Sequence, residues 1–220
     1  MNKICMLIFF TLLYQVDLVF ACHRIDEFKT RLTIEQINFL SSDLNDVTSI
    51  QATISSIYQL DQELRTIYIH DRNNNEVKTF MLEMDQFHTQ KMKEIIRNHG
   101  WPTITLFGKN TDHQAWLLVQ HSSDLEFQKN CLQLLYQAMQ CKETNPINYA
   151  YLYDRVALQS KEYDYKQKYG TQFHITNNGE LILQPYQGTI EDIDKNRFLI
   201  GLSSLEEYTT CIKKMYKILP

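Results

Sequence analysis

No glycine or proline occurs before Gly100; all six glycines and all four prolines lie at or beyond that position. These two residues disfavour a helix interior more than any others. With neither present, nothing in the first half of the chain punctuates long helices, and that half is predicted to be helical. Apolar spacing agrees: Ile50, Ile54, Ile57, Leu64 and Ile67 recur at helical period behind a Thr48–Gln51 capping-box pair. Residues 72–75, an Arg-Asn-Asn-Asn run, predict a turn. Val77, Phe80, Met84, Phe87 and Ile95 then mark the buried stripe of a second helix, which Gly100 ends.

Beyond Gly100 the elements become shorter. Pro102 forces Trp101 out of helical geometry. Thr111 with Gln114 is expected to open a short apolar helix through residues 115–119, and Ser123 with Glu126 to cap the next, striped by Phe127, Cys131, Leu134 and Ala138. Asn145-Pro146 starts a fourth helix, proline occupying the first position where its missing N–H is harmless. Residues 171–176 alternate as a strand, Asn178-Gly179 signals a hairpin turn, and residues 181–184 return. Two helices close the chain, around 195–200 and 204–219, the second with a Ser203–Glu206 capping box. The expected fold is mainly α: a single helical domain over 22–220 with a small β-hairpin, α+β at the margin.

The N-terminus predicts export. Lys3 precedes an apolar run over residues 4–14, too short for the roughly 20 residues of a spanning helix. Gln15 and Asp17 interrupt it, and cleavage after Ala21 would make residues 1–21 a signal peptide and Cys22 the first mature residue. Val19-Phe20-Ala21-Cys22 resembles a bacterial lipobox, although Phe20 is bulkier than is usual there. Lipidation of Cys22, an ordinary secretory signal and an uncleaved anchor all stay open. The protein is expected to be periplasmic, secreted or membrane-anchored, touching a membrane only through that signal or lipid. Cys131 and Cys141 sit about 15 Å apart on one helix, beyond disulfide reach. Cys141 with Cys211 could pair in an oxidising compartment, but buried thiols are the expectation.

A net charge of −4 with both signs mixed along the chain offers no basic patch for nucleic acid. No HExxH helix, paired CxxC, Walker loop, Gly-rich dinucleotide turn or Gly-x-Ser-x-Gly elbow is present. His99, His113 and His121 lack a familiar metal spacing, so no metal or cofactor is expected.

Chemistry is instead expected where polar residues interrupt apolar helices. Residues 147–158 are apolar on every side, as in a buried helix, yet carry Asp154 and Arg155. Neighbours on a helix point about 100° apart, so each needs its own counterpart. A structural ion pair to a neighbouring helix is the plainer account. Gln120 and His121 end the helix of Trp116 and Val119 in similar fashion. In the run Tyr169-Gly170-Thr171-Gln172-Phe173, Gly170 permits a tight bend, and Gln172 shares a strand face with His174. An exposed Gln172 at a simple bend is the alternative there. Tyr149, Tyr151 and Tyr153 point to packing rather than to a binding platform.

The segments His99-Gly100-Trp101-Pro102-Thr103, Leu118-Val119-Gln120-His121, Ala150-Tyr151-Leu152-Tyr153-Asp154-Arg155 and Tyr169-Gly170-Thr171-Gln172-Phe173 resemble a bacterial family of unknown function with GWPT, QH, DR and YGTQF signatures. Leu64-Arg65, Gly201-Leu202 and Glu207-Tyr208 are also similar to its pattern, and the likeness spans about residues 60–210. Tyr153 departs from it where threonine is common. The resemblance supplies residues rather than a reaction. From these residues we expect that His121, Asp154, Arg155 and Gln172 converge with Trp101 and Tyr169 on one cleft, with Gln120 beside them. In that cleft His121 acts as acid or base, suited by imidazole's reference pKa near 6.5, and Asp154 orients it. Arg155 with Arg65 holds a carboxylate or phosphate, and Trp101 forms an aromatic wall. Three readings follow: an exported hydrolase or transferase acting on a small anion, a non-catalytic ligand- or peptide-binding module of the cell envelope, or polarity that serves the fold alone.

Overall fold

The computed structural model describes residues 28, 44–70, 74–176, 178–216 and 218. The signal segment 1–21 and Cys22 lie outside the described residues. Seven α-helices and one two-stranded antiparallel sheet are described, so the fold is mainly α with a small β-hairpin. Among the described residues no helix is long and apolar enough to cross a membrane. Contacts divide the chain into two compact units, Met1–Phe87 and His88–Pro220.

In the first unit, α1 (Val47–His70) buries Ile50, Ile54, Ile57, Leu60, Leu64 and Ile67 along one face. Its start is set by Asp46, whose Oδ1 accepts from the Ser49 N–H at 2.9 Å, rather than by Thr48. A carboxylate is the stronger acceptor for the unpaired N–H groups of a first turn. The same face carries Asp61, only 2% exposed. Arg65, one turn on, donates through Nε to Asp61 at 3.1 Å and through Nη2 to Asp85 at 2.6 Å. Asp85 belongs to α2 (Asn75–His99), so one guanidinium joins two nearly buried carboxylates from two helices.

The second unit is a bundle of α3 (Ile104–His121), α4 (Leu125–Gln140) and α5 (Pro146–Ala157), each packed against the other two. Helix α3 begins seven residues earlier than the sequence suggests. Its first turn is capped from a distance: Glu143 accepts from the Thr105 N–H at 2.8 Å and from Thr105 Oγ1 at 2.6 Å. Gly108, at φ +81°, kinks the helix ahead of Thr111. Asp124, not Ser123, caps α4 by accepting from the Phe127 N–H, and Asn145 caps α5 with Pro146 in its first turn. Cys131 is buried, whereas Cys141 ends α4 with an exposed thiol instead of a buried one.

After α5 a short 3-10 turn (Lys161–Tyr163) leads to β1 (Phe173–Ile175) and β2 (Leu181–Leu183), paired with His174 opposite Ile182. The turn residue Gly179 has φ +82°, as the Asn178-Gly179 signal requires. Helices α6 (Ile190–Leu199) and α7 (Leu205–Met215) close the chain and pack on each other. The capping box of α7 is Ser204 with Glu207, one residue past the pair the sequence suggests.

Removing the Arg65 guanidinium leaves two buried carboxylates facing each other. Arg65→Leu is expected to cost about 3–5 kcal/mol in urea denaturation. Neutralising both partners in the same chain (Asp61→Asn with Asp85→Asn) should recover a large part of that loss.

Candidate functional site

Helix α5 is where the segments around Trp101, Gln120, Asp154 and Tyr169 come together. Near its N-terminus, Asn148 is fully buried and donates through Nδ2 to Asp112 Oδ2 at 3.0 Å. Asp112, on α3, takes the Trp101 indole N–H on its other oxygen at 2.8 Å. Burial holds the Asp112 pKa above the usual carboxylate value, against the pull of its Thr144, Trp101 and Asn145 donors. Trp101 is thereby 5% exposed and tied to the helix bundle through its nitrogen.

Further along, Gln120 Nε2 lies 3.5 Å from the Tyr151 carbonyl. This places the end of α3 against the middle of α5, one helical turn before Arg155. His121 is the last residue of α3 and is half-buried, as is Arg155. The end of α3 is held by groups the sequence did not single out. Gln128 Nε2 lies within hydrogen-bond distance of the carbonyls of Val119, Gln120 and Ser122, at 3.1, 3.3 and 2.8 Å. Ser122 Oγ accepts from Thr89 Oγ1 at 2.9 Å and from the Asp124 N–H. These bonds satisfy carbonyls that a helix terminus leaves unpaired.

At the C-terminal end of α5, Asp154 is fully buried, and its partners are loop groups. Oδ1 accepts from the N–H of Lys168 at 2.7 Å and of Tyr169 at 2.9 Å; Oδ2 accepts from the N–H and the hydroxyl of Thr171, both at 2.9 Å. Four strong donors fill the lone-pair directions of one carboxylate. Burial holds the Asp154 pKa above the usual value, against the downward pull of these same donors. The loop is gripped from its other side by Arg197, 1% exposed, which donates through Nη1 to the Tyr169 carbonyl at 2.8 Å and through Nε to the Ser203 carbonyl at 2.6 Å. Its guanidinium stacks over the Tyr208 ring at 4.8 Å, and the Tyr208 hydroxyl donates to the Thr171 carbonyl.

Glycine is required between these two clamps. Gly170 has φ +62°, and an added Cβ would lie 2.9 Å from Leu205 Cδ1 and 3.1 Å from Ile193 Cγ2. Gln167, fully buried, completes the loop by donating to the Gln172 and Gln184 carbonyls and accepting from the Gln172 N–H.

The structure therefore brings Gln120, and with it the end of α3, to α5, and brings Tyr169, Thr171 and Gln172 to Asp154. Gln172 is half-buried with its amide on Thr171 Oγ1 at 3.0 Å; Tyr169 is buried, edge-on to Tyr153 at 5.7 Å. Trp101 is linked to α5 through Asp112 and Asn148. Arg65 stands in the first unit, on Asp61 and Asp85. Gln128, Gln167 and Arg197 were missed from sequence. A signal existed for two of them: Gln128 falls on the apolar stripe of Cys131, Leu132 and Leu135, and Arg197 on that of Ile193.

Because every Asp154 partner is a donor, Asp154→Asn turns an amide NH2 toward backbone N–H groups and is expected to cost roughly 2–4 kcal/mol in chemical denaturation. Thr171→Val, which deletes one bond of the set, should cost about 1 kcal/mol. Equal stability of Asp154→Asn and the parent would remove the clamp as a structural device. Neither a curated protein nor a solved structure matches the chain. A family model described as "Family of unknown function (DUF6624)" matches residues 48–219, a span that holds Trp101, Gln120, Asp154 and both ends of the clamped loop. The chain belongs to the DUF6624 family.

Proposed function

We propose that the second unit is a ligand-binding module for a small anion, with Arg155 as its charged contact and His121 and Gln172 as polar ones. The observation that carries the reading is the approach of Gln120 to the Tyr151 carbonyl. It sets the residue before His121 one turn from Arg155, and both side chains keep part of their surface in solvent. A guanidinium offers paired donors to a carboxylate or phosphate, and an imidazole beside it adds a further donor. Binding is favoured over catalysis by the state of Asp154. Its oxygens are occupied by loop donors, so Asp154 is not the group that orients the His121 imidazole. A hydrolase or transferase built on His121 would need another group in that place.

Calorimetric titration with inorganic phosphate and with acetate tests this. Arg155→Gln is expected to weaken binding at least about tenfold in protein that still unfolds cooperatively. Identical affinities in parent and variant would end the anion-site reading.

We further propose that the protein is exported and lipidated at Cys22, on the strength of the short apolar run ahead of Val19-Phe20-Ala21-Cys22. The intact mass of protein from the membrane fraction should show a chain starting at Cys22 with an acylated glyceryl group. An unprocessed Met1 terminus would refute it.

A further inference from the structure

Among the described residues of the second unit, Trp116 Nε1, Gln120 Oε1, Gln128 Oε1 and Asn148 Oδ1 belong to side chains at least 96% buried and have no hydrogen-bond partner. Two have a structural explanation. The Gln128 amide nitrogen closes the end of α3, and the Asn148 amide nitrogen is bound to Asp112, so their oxygens are by-products of a useful bond. Trp116 and Gln120 have none. The indole N–H meets no acceptor, and the Gln120 amide has only the 3.5 Å approach to Tyr151, at the outer limit for a hydrogen bond.

These two residues stand four apart on α3 and therefore share a face. That face meets Tyr151 of α5, whose ring packs edge-on to Trp116 at 5.8 Å and whose carbonyl is the Gln120 neighbour. One unmatched donor and one unmatched acceptor thus flank a single residue, beside the segment that carries His121 and Arg155. Natural folds keep few such groups, because an apolar side chain of similar shape would avoid the desolvation penalty.

We propose that the Trp116–Gln120 face receives the amide group of the ligand, whose carbonyl accepts from the Trp116 indole and whose N–H donates to Gln120 Oε1. This deepens the anion-site reading and rests on it: with the carboxylate on Arg155 and His121, the ligand class becomes an N-acylated amino acid, either free or as the C-terminus of a peptide. The unmatched atoms are enclosed, so entry requires the last turn of α3 to part from α5 at the weak Gln120–Tyr151 contact.

Calorimetric titration with N-acetylglycine, acetyl-triglycine and acetate, on the parent and on Gln120→Leu, tests the proposal. In the parent, at least one of the two acylated probes is expected to bind tenfold or more tightly than acetate. The tighter of the two identifies a free acyl-amino acid or a peptide terminus. In Gln120→Leu that preference should vanish, so that the three probes bind alike. The same variant should unfold about 2–4 °C higher than the parent, since an unmatched carbonyl has been removed. Equal affinity for all three probes in the parent, an acyl preference that survives in Gln120→Leu, or a lower midpoint in that variant each overturns the proposal. Acetate binding without acyl preference would leave the anion site standing, whereas no binding by any probe would overturn both.

Discussion

The second unit depends on one buried carboxylate meeting the backbone of one loop. Asp154 comes from a helix whose surroundings are apolar, where an ionised group without partners would be costly. The loop at Lys168, Tyr169 and Thr171 supplies four donors that the same apolar surroundings would otherwise leave unpaired. Neither half is stable there without the other. Arg197 holds the carbonyl side of that loop while Asp154 holds its N–H side. Positive and negative charge thus lie on opposite faces of a single stretch of backbone, and Gly170 lets α6 and α7 approach it closely.

The same economy recurs along the bundle. Gln128 closes the end of α3, Glu143 closes its beginning, Asp112 joins Trp101 to α5, and Gln167 ties the hairpin to its entry. In each case a long polar side chain satisfies backbone or indole groups that would be orphaned in a dry interior. Buried polarity in this unit mostly connects segments. Trp116 and Gln120 depart from that rule, each keeping a buried polar atom with no hydrogen-bond partner, whereas Asp154 is fully engaged.

Much of the fold was legible in the sequence. Helices α1 and α2 follow from apolar period and missing breakers, and the hairpin follows from Asn178-Gly179 between short alternating runs. Helix starts were less legible. Capping depends on which acceptor reaches the first turn, and for α3 that acceptor is Glu143, many residues away. The candidate site was legible as a set of polar intrusions but not as a set of roles. Asp154 and Arg155 look equivalent in a string of letters. Their 100° separation on the helix sends one into the loop and leaves the other partly in solvent.

By itself, the sequence determined the helical class, the position of the hairpin and which polar residues would have to be accommodated in apolar helices, because periodicity and local turn chemistry act over a few residues. Only the tertiary structure decided what each of those polar residues is bound to. Hydrogen-bond partners such as Asp154 with Thr171, or Arg197 with Tyr169, are far apart along the chain, and their choice is made by packing rather than by spacing.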